Sequence, residues 1–320
     1  MPRAAAHRFD LVVLGDCDPD LVLAGEDVEP AFGQVERLVD AAELTIGGSG
    51  RIVACGAARL GLRTAFAGVV GDDLLGRFVL DALARRGVDT HAIVVDPNAR
   101  TGLTVILSRP GDRAILMFPG TIASLRSDQV DEGLLASMRH VHVASFFLQT
   151  ALAAGLPELF ARARSAGATT SIDPNWDPGE RWDGGLKDLL SATDVFLPNA
   201  EEAMRIADVD DAEDAARVLA SRGPLVAVRR GPAWALAALP SGELVEAQAL
   251  PGTDPVDTIG AGDSFNAGFL AARLNGWSTQ LALALAAACG SLSTRAVGGT
   301  PAQPTLDEAR AALAELLDAR

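Results

Sequence analysis

The chain has 320 residues, enough for one large domain or two smaller ones, with an ample hydrophobic core. Its net charge of −15 argues against a nucleic-acid partner, because such a partner requires a basic surface. The longest apolar helix-like run, 281–289, is too short to span a bilayer, and the three cysteines lack metal-like spacing. We therefore expect a cytoplasmic protein with reduced thiols and no membrane segment.

Short β-rich runs alternate with helix-like stretches along most of the chain. Strands are predicted at 10–14, 64–69, 92–95, 101–108, 114–118, 140–144, 169–172, 195–197 and 225–229. Helices are predicted at 51–60, 74–86, 127–138, 156–165, 186–191, 201–207 and 212–221. Such alternation predicts an α/β fold, with a mostly parallel sheet covered by helices on both faces.

Two segments depart from this alternation. Residues 21–45 contain strand-like pieces without a strong helix, and residues 101–118 form two strands that turn at 109–112. We expect the two segments to form a small sheet apart from the main one. A hairpin is predicted at 234–247, and from Gly262 onward the chain is nearly all helical.

The most informative motif is the stretch 257–265, Asp-Thr-Ile-Gly-Ala-Gly-Asp-Ser-Phe. Gly260, Ala261 and Gly262 precede a predicted helix, where free backbone N–H groups and the helix dipole favour an anion. Asp263 would repel that anion, but it fits a base that deprotonates a hydroxyl attacking a phosphate. The turn alone fits an ordinary helix N-cap equally well.

Two further groups of polar residues follow predicted strands. Asn199 and Glu202 can position the water ligands of Mg²⁺, although the same spacing is typical of a capping box. Asp18 and Asp20 follow the first strand, at the sheet edge where ligands of open α/β sheets bind. The only lysine is Lys187, so a P-loop is absent.

The stretch 257–265 resembles the C-terminal signature of the ribokinase (PfkB) family of carbohydrate kinases. Gly47-Gly48-Ser49-Gly50 resembles the N-terminal signature, and Asn199-Ala200-Glu201-Glu202 matches the family's Asn-x-x-Glu motif. The resemblance covers nearly the whole chain in the correct order. It implies a ribokinase-like three-layer α/β/α domain over 1–320, with a lid formed by about 21–45 and 101–118. A homodimer through the lid is also implied.

The resemblance implies a role for each matching residue, with ATP and Mg²⁺ as cofactors. Asp263 would be the catalytic base, and Gly260, Ala261 and Gly262 the anion hole. The nucleotide and Mg²⁺ would be held by Asn199, Glu202, Arg229, Gly231, Gly260 and Gly262. The acceptor would contact Asp18, Asp20, Gly47, Gly48, Ser49, Ile52 and Asp173. A monovalent cation such as K⁺ would lie near Asp257, Ile259, Arg295 and Gly298.

Several positions depart from the family pattern. Ser49 replaces the lysine of ribokinases, and Ile52 replaces an asparagine that contacts sugar in many relatives. These two differences disfavour ribose and indicate a more apolar acceptor pocket. Asp177 replaces an arginine of relatives that bind ketoacids, which weakens that alternative. Arg229 replaces the usual threonine.

The sequence therefore predicts an ATP-dependent carbohydrate kinase that phosphorylates a hydroxyl of a sugar or sugar derivative. A nucleoside kinase of the same fold is one alternative, with Ile52 and the Phe146-Phe147 pair facing a base. The other alternative is a sugar-binding regulatory protein with weak or no catalysis. The intact Asp263, Asn199 and Glu202 argue against the regulatory protein.

Overall fold

The structure is a computed structural model that describes residues 7–231, 234–250 and 255–318. Its strands are β1 (Leu11–Leu14), β2 (Pro19–Ala24), β3 (Ala41–Ile46), β4 (Thr64–Ala67), β5 (Val69–Gly71), β6 (Val94–Asp96), β7 (Leu103–Arg109), β8 (Asp112–Phe118), β9 (His140–Val143), β10 (Thr169–Ile172), β11 (Val195–Phe196), β12 (Leu225–Arg229), β13 (Trp234–Ala238) and β14 (Leu244–Gln248).

The helices are α1 (Ser49–Arg59), α2 (Leu74–Arg85), α3 (Glu132–Ala136), α4 (Thr150–Ala153), α5 (Leu156–Ser165), α6 (Leu186–Leu189), α7 (Ala200–Ala207), α8 (Ala212–Ala220), α9 (Ala261–Leu274), α10 (Thr279–Ser293) and α11 (Leu306–Asp318). Three short 3₁₀ turns lie at Ser127–Gln129, Phe146–Leu148 and Leu190–Ala192. Among the described residues, no helix is long and apolar enough to cross a membrane.

An eight-stranded sheet forms the centre of the molecule, in the order β14-β13-β12-β11-β10-β9-β1-β4. The strands from β12 to β4 are parallel, and β13 and β14 form the antiparallel hairpin predicted from the sequence. Parallel strands are buried on both faces, which explains why they appear in the sequence as continuous apolar runs. The mostly parallel sheet predicted from the sequence is confirmed.

Two helical layers cover this sheet, each with its own apolar core. One layer contains α1, α9, α10 and α11, packed through residues such as Val53, Phe269, Leu283 and Leu313. The other contains α3 and α5 to α8, packed through residues such as Leu159 and Ala216. The result is a three-layer α/β/α arrangement.

A smaller sheet of four strands stands apart, in the order β3-β2-β7-β8. Its β7–β8 hairpin turns between Arg109 and Asp112, as predicted. The side chains on one of its faces, Leu21, Leu44, Val105 and Leu116, form an apolar row across all four strands, because β2 pairs with both β3 and β7. Leu44 and Leu116 are exposed, so this outer face is open.

The boundaries differ from prediction in a few places. The single helix predicted at 127–138 is wrong: a 3₁₀ turn is followed by the short α3, because the Asp131 side chain caps a new helix by accepting the N–H of Leu134 at 2.7 Å. The strand predicted at 64–69 is divided at Gly68 into β4 and β5. A Cβ at Gly68 would lie 3.0 Å from the carbonyl oxygen of Gly15, so only glycine allows this close approach.

Asp10 ties the start of β1 to the neighbouring strands. Its carboxylate accepts three hydrogen bonds from Arg63, at 2.8 to 3.0 Å, and one from Arg139 at 3.2 Å. The hydrogen bonds from Arg63 lower the pKa of Asp10 well below its usual range, although burial opposes them. The ionised form is therefore strongly favoured in the folded protein.

We expect Asp10→Asn to lower the free energy of unfolding by about 1–3 kcal/mol at pH 7. A depressed carboxyl pKa stabilises the fold above the unfolded pKa of about 3.9, and this contribution is lost as the pH falls below it. The deficit of the variant should thus shrink between pH 7 and pH 3 in urea unfolding. Asp81→Asn, which alters an exposed pair with Arg85, is the control and should show no such deficit. Equal deficits at both pH values would contradict an ionic contribution.

Candidate active site

The turn before α9 lies at the centre of a group of polar side chains. Gly260 has φ +71°, and a Cβ there would lie 2.6 Å from the Cα of Gly299, so the turn requires glycine. The N–H of Ala261 bonds back to the Thr258 carbonyl at 3.3 Å, and that of Ser264 bonds back to the Gly260 carbonyl at 2.9 Å. The N–H groups just before it, of Gly262 and Asp263, belong to the helix start, where an anion can bind.

Asp263 lies in the first turn of α9 and is partly buried. The Ser49 hydroxyl, at the start of α1, donates to its Oδ1 at 2.5 Å. Burial raises the pKa of Asp263 to about 7, with a further contribution from the Asp173 carboxylate, while the Ser49 bond and Arg229 oppose the shift. A carboxylate with a pKa near 7 is suited to take a proton at neutral pH.

Arg229, at the end of β12, lies next to this turn. A Cβ at Gly262 would lie 3.2 Å from its Nε. Its Nη1 donates to Asp173 Oδ2 at 2.9 Å and to Asn266 Oδ1 at 2.7 Å, and its Nη2 lies 3.5 Å from Glu202 Oε2. Burial disfavours the charged guanidinium, but the two carboxylates outweigh it and raise the pKa of Arg229.

Asn199 and Glu202 form a capping box at the start of α7. The Glu202 N–H donates to Asn199 Oδ1, and the Asn199 N–H donates to Glu202 Oε2, both at 2.8 Å. Burial, and then the Asp173 carboxylate, raise the pKa of Glu202 to about 7. Within the described ranges no group of three or more His, Cys, Asp or Glu residues could hold a metal directly. The oxygens of Asn199 and Glu202 fit a cation that keeps its water shell, because they already accept backbone N–H groups.

An open cleft of about 530 Å³ adjoins Asn199 and Arg229. Its size falls within the range typical of small-molecule sites. Gly231 lines the cleft with φ +64°, and a Cβ there would meet no atom within 4 Å, so its backbone borders open space. The cleft therefore offers room for a nucleotide beside the turn before α9.

A second group of carboxylates surrounds the Gly47–Gly48 turn, on the other side of Asp263. A Cβ at Gly47 would lie 1.7 Å from Asp20 Oδ1, and one at Gly48 would lie 2.0 Å from Asp16 Oδ2. These carboxylates therefore lie directly against the main chain. Thr104 of β7 donates to Asp18 Oδ2 at 2.8 Å, so the small sheet contributes to this wall.

Sequence reasoning missed Arg51, which lies in the middle of these carboxylates. Its side chain is fully buried, with Nε donating to the Gly47 carbonyl at 2.6 Å and Nη2 to Asp18 Oδ1 at 3.2 Å. Burial raises the pKa of Asp18 to about 6 and that of Asp20 to about 7, and Arg51 opposes both shifts. The available signal was an arginine in the first turn of a helix rich in small residues, together with the acidic residues that follow β1.

Ile52 and Asp173, predicted to contact the acceptor, have protein partners in the structure. A Cβ at Gly299 would lie 2.4 Å from Ile52 Cδ1, so Ile52 packs behind the turn before α9. Asp173 accepts from Arg229 and Asn266 through Oδ2 and from the N–H of Asn175 through Oδ1. These two residues support the site from behind.

The segment after Asp173 is also held by internal contacts. Asp177 accepts the N–H groups of Gly179, Arg181 and Trp182 at 2.8 Å each, and so folds its own loop. Phe146 is buried, and Phe147 packs edge-on against both Phe146 and Trp182. The nucleoside alternative depended on Phe146, Phe147 and Ile52. The two phenylalanines pack against aromatic rings, and Ile52 packs against Gly260 and Gly299.

The residues predicted near a monovalent cation lie around one turn. Asp257 accepts the N–H of Ile259 at 2.9 Å and that of Gly298 at 2.8 Å, which joins the approach to α9 to the segment after α10. The Arg295 side chain is exposed and donates to the Leu292 carbonyl at 2.8 Å. The structure thus brings Asp257, Ile259 and Gly298 together, with both Asp257 oxygens in protein hydrogen bonds, while the Arg295 side chain bonds within its own turn.

Comparisons with known proteins identify the family and the fold. The model of the pfkB family of carbohydrate kinases matches residues 8–306. A fructokinase of Klebsiella pneumoniae is 34% identical, covering 94% of this chain and 98% of the relative. An ATP-dependent ribose-1-phosphate kinase of Halopiger xanaduensis is 33% identical, covering 85% and 88%. A ribokinase-type protein of E. coli, solved with ATP and Mg²⁺, has a TM-score of 0.84 at 24% identity, covering 96% of this chain and 99% of that one, which confirms the ribokinase-like fold.

The raised pKa of Asp263 has a consequence for stability. A carboxyl whose pKa is higher in the folded state stabilises the fold below the unfolded pKa, and this is lost as the pH rises toward about 7. Because asparagine does not titrate, we expect Asp263→Asn to be more stable than the wild type at pH 8 by roughly 1–3 kcal/mol. The gain should shrink toward pH 4 in urea unfolding. A variant less stable than the wild type at pH 8 would contradict this.

Proposed function

Because this chain belongs to the pfkB family of carbohydrate kinases, phosphotransferases with a hydroxyl acceptor, we propose that it transfers the γ-phosphoryl group of ATP to a sugar or sugar derivative. The observation that carries the proposal is the position of Asp263. It combines a pKa of about 7 with a place directly after a backbone turn suited to an anion. This arrangement unites a base and a phosphate site in four consecutive residues, 260–263.

Asp263 acts as the general base. It takes the proton of the acceptor hydroxyl as that oxygen attacks the γ-phosphorus and the bond to the ADP oxygen breaks. At the turn formed by Gly260, Ala261 and Gly262, the backbone N–H groups of Gly262 and Asp263 face the transferring phosphoryl group. Such donors stabilise charge that develops in the transition state by about 3–4 kcal/mol each.

Arg229 supplies positive charge on the nucleotide side. Its guanidinium lies next to Gly262 and borders the open cleft, and its Nη1 is fixed by Asp173 and Asn266. A planar guanidinium held in one orientation suits the oxygens of a phosphate. We assign Arg229 to the phosphates, with the Gly231 backbone bordering the nucleotide.

Cations complete the nucleotide side of the proposal. Asn199 and Glu202 would hold Mg²⁺ through water, because their oxygens already accept backbone N–H groups. The bound ion neutralises charge on the phosphate oxygens. A monovalent cation such as K⁺ is proposed at the turn formed by Asp257, Ile259, Arg295 and Gly298. ATP use and three free, buried cysteines support a cytoplasmic setting.

The acceptor is proposed to lie between Asp263 and the Gly47–Gly48 turn. Asp18 and Asp20 would bind its hydroxyls, because carboxylates accept hydrogen bonds through two oxygens. Gly47 and Gly48 let it lie against the main chain, and Ser49 borders the base. A sugar is favoured over a nucleoside, because Phe146 and Ile52 are buried in protein contacts.

We also propose a homodimer through the small sheet. Its outer face carries the apolar row Leu44, Leu21, Val105 and Leu116, and the edge strand β8 is exposed along its length. An exposed apolar face of this kind indicates an interaction site. A second copy of the chain would cover it with an identical row.

We expect Asp263→Asn to lower kcat by about 10²–10⁴, the cost of losing a general base, while ATP binding is retained. ATP consumption across a panel of sugars including D-fructose, with ATP binding measured by calorimetry, tests this. Asp81→Asn is the matched control, since it changes an exposed carboxylate on α2. An unchanged kcat in the Asp263 variant would refute the assignment.

For the dimer, we expect Leu116→Asp to convert the protein to a monomer in light scattering, because a carboxylate in a closed apolar face is strongly unfavourable. Val95→Asp alters a comparably exposed apolar residue on β6, outside the small sheet, and should leave the mass unchanged. A wild-type protein that is monomeric at micromolar concentration would exclude the proposed assembly.

A further inference from the structure

A buried hydrogen-bond donor at the acceptor side has no partner. Arg51 is fully buried, and its Nε and Nη2 are used by Gly47 and Asp18. Its Nη1 bonds to nothing in the described part of the chain. Buried polar atoms in folded proteins are nearly always paired, so this free N–H group indicates an acceptor atom supplied from outside the chain.

Asp20 offers the complementary group beside the same turn. Its carboxylate lies directly against Gly47, and its residue is buried. In contrast to Asp18, which binds Arg51 and Thr104, it forms no hydrogen bond with the described residues. Arg51 therefore offers one free hydrogen-bond donor and Asp20 offers free acceptor oxygens, beside the adjacent residues Gly47 and Gly48.

The charge around these groups is negative. Asp16 Oδ2 and Arg51 Nη2 both lie against Gly48, at 2.0 and 2.3 Å from the position of a Cβ there. With Asp18 and Asp20, three carboxylates share one guanidinium. A second anion in this space would meet like charges in a desolvated setting, which costs affinity.

We propose that Arg51 is a specificity-determining residue that restricts the acceptor to uncharged polyols. Its Nη1 donates to one hydroxyl oxygen of the acceptor, and a neighbouring hydroxyl donates to Asp20. Sugar acids and sugar phosphates are excluded by the surrounding carboxylates. This inference rests on the proposed kinase function, because it describes the acceptor side of the same site.

The test compares pairs of acceptors with similar carbon skeletons, one member uncharged and the other an anion. D-fructose and 2-dehydro-D-gluconate share a carbon skeleton but differ in the oxidation of C1, and D-ribose and ribose 1-phosphate differ by one phosphate. Binding of each is measured by calorimetry to the full chain with Mg²⁺ and a non-hydrolysable ATP analogue. We expect the uncharged member of at least one pair to bind about tenfold or more tightly than its charged partner. Equal or tighter binding of the charged members, or no binding of either uncharged sugar, would overturn the proposal.

Variants separate a role in specificity from a role in folding. Arg51→Met alone leaves Asp18 without its cation, so the double variant Asp18→Asn with Arg51→Met is the main probe, since it keeps the net charge of the cluster. We expect it to bind the uncharged sugar about tenfold more weakly than the single variant Asp18→Asn does, the effect of one lost Arg51 hydrogen bond, with the charge preference retained. Unchanged affinity, with only a lower melting temperature, would mean that Arg51 is structural.

Asp20→Asn provides a second and independent readout. Removing one of the three carboxylates should reduce the preference for the uncharged member, whereas a purely structural residue would leave that ratio unchanged. Phosphorylation of the bound sugar by ATP is measured separately. Binding with the expected preference but without turnover would refute the kinase function and leave the specificity inference intact.

Discussion

The active site depends on burying many carboxylates at one edge of the main sheet. The acidic side chains collected there are Asp16, Asp18, Asp20, Asp173, Glu202 and Asp263. In the part of the chain that the structure describes, Arg51 and Arg229 are the guanidinium groups that form ion pairs with them. Burial raises the pKa of Asp18, Asp20, Glu202 and Asp263. The two arginines favour the ionised form of the carboxylates that they contact. Because burial removes much of the solvation of each ion pair, this attraction only partly offsets the effect of burial on the pKa values. The residues left with a pKa near 7 are those that can exchange protons at neutral pH.

The two arginines divide the site into two functional halves. Arg229, held by Asp173 and Asn266, orders the side that adjoins the open cleft. Arg51 orders the side that adjoins the Gly47–Gly48 turn. Asp263 lies between them, so the base is next to both the proposed phosphate donor and the proposed hydroxyl. Arg229 comes from β12 of the main sheet and Arg51 comes from α1 of a helical layer. The distance between the two arginines therefore depends on how α1 packs against the sheet.

Much of this could be predicted from the sequence because the signals were local. The strand and helix periods, and the glycine turn before Asp263, depend on neighbours in the chain, and so the fold and the candidate base were found. Arg51 was missed because a helical period gives no indication that a cation will meet Asp18, thirty-three residues away. The break at Asp131 was missed because a capping side chain can interrupt a helical pattern without changing its apolar spacing.

The Ser49 hydroxyl has the same chemistry as the hydroxyl that the base is proposed to activate. By donating to Oδ1 of Asp263, it fixes the rotation of the carboxylate and leaves the other oxygen for an incoming partner. In the proposed reaction, Ser49 therefore serves as a fixed hydroxyl partner for one carboxylate oxygen, so that a single oxygen of Asp263 is left to take the proton of the acceptor.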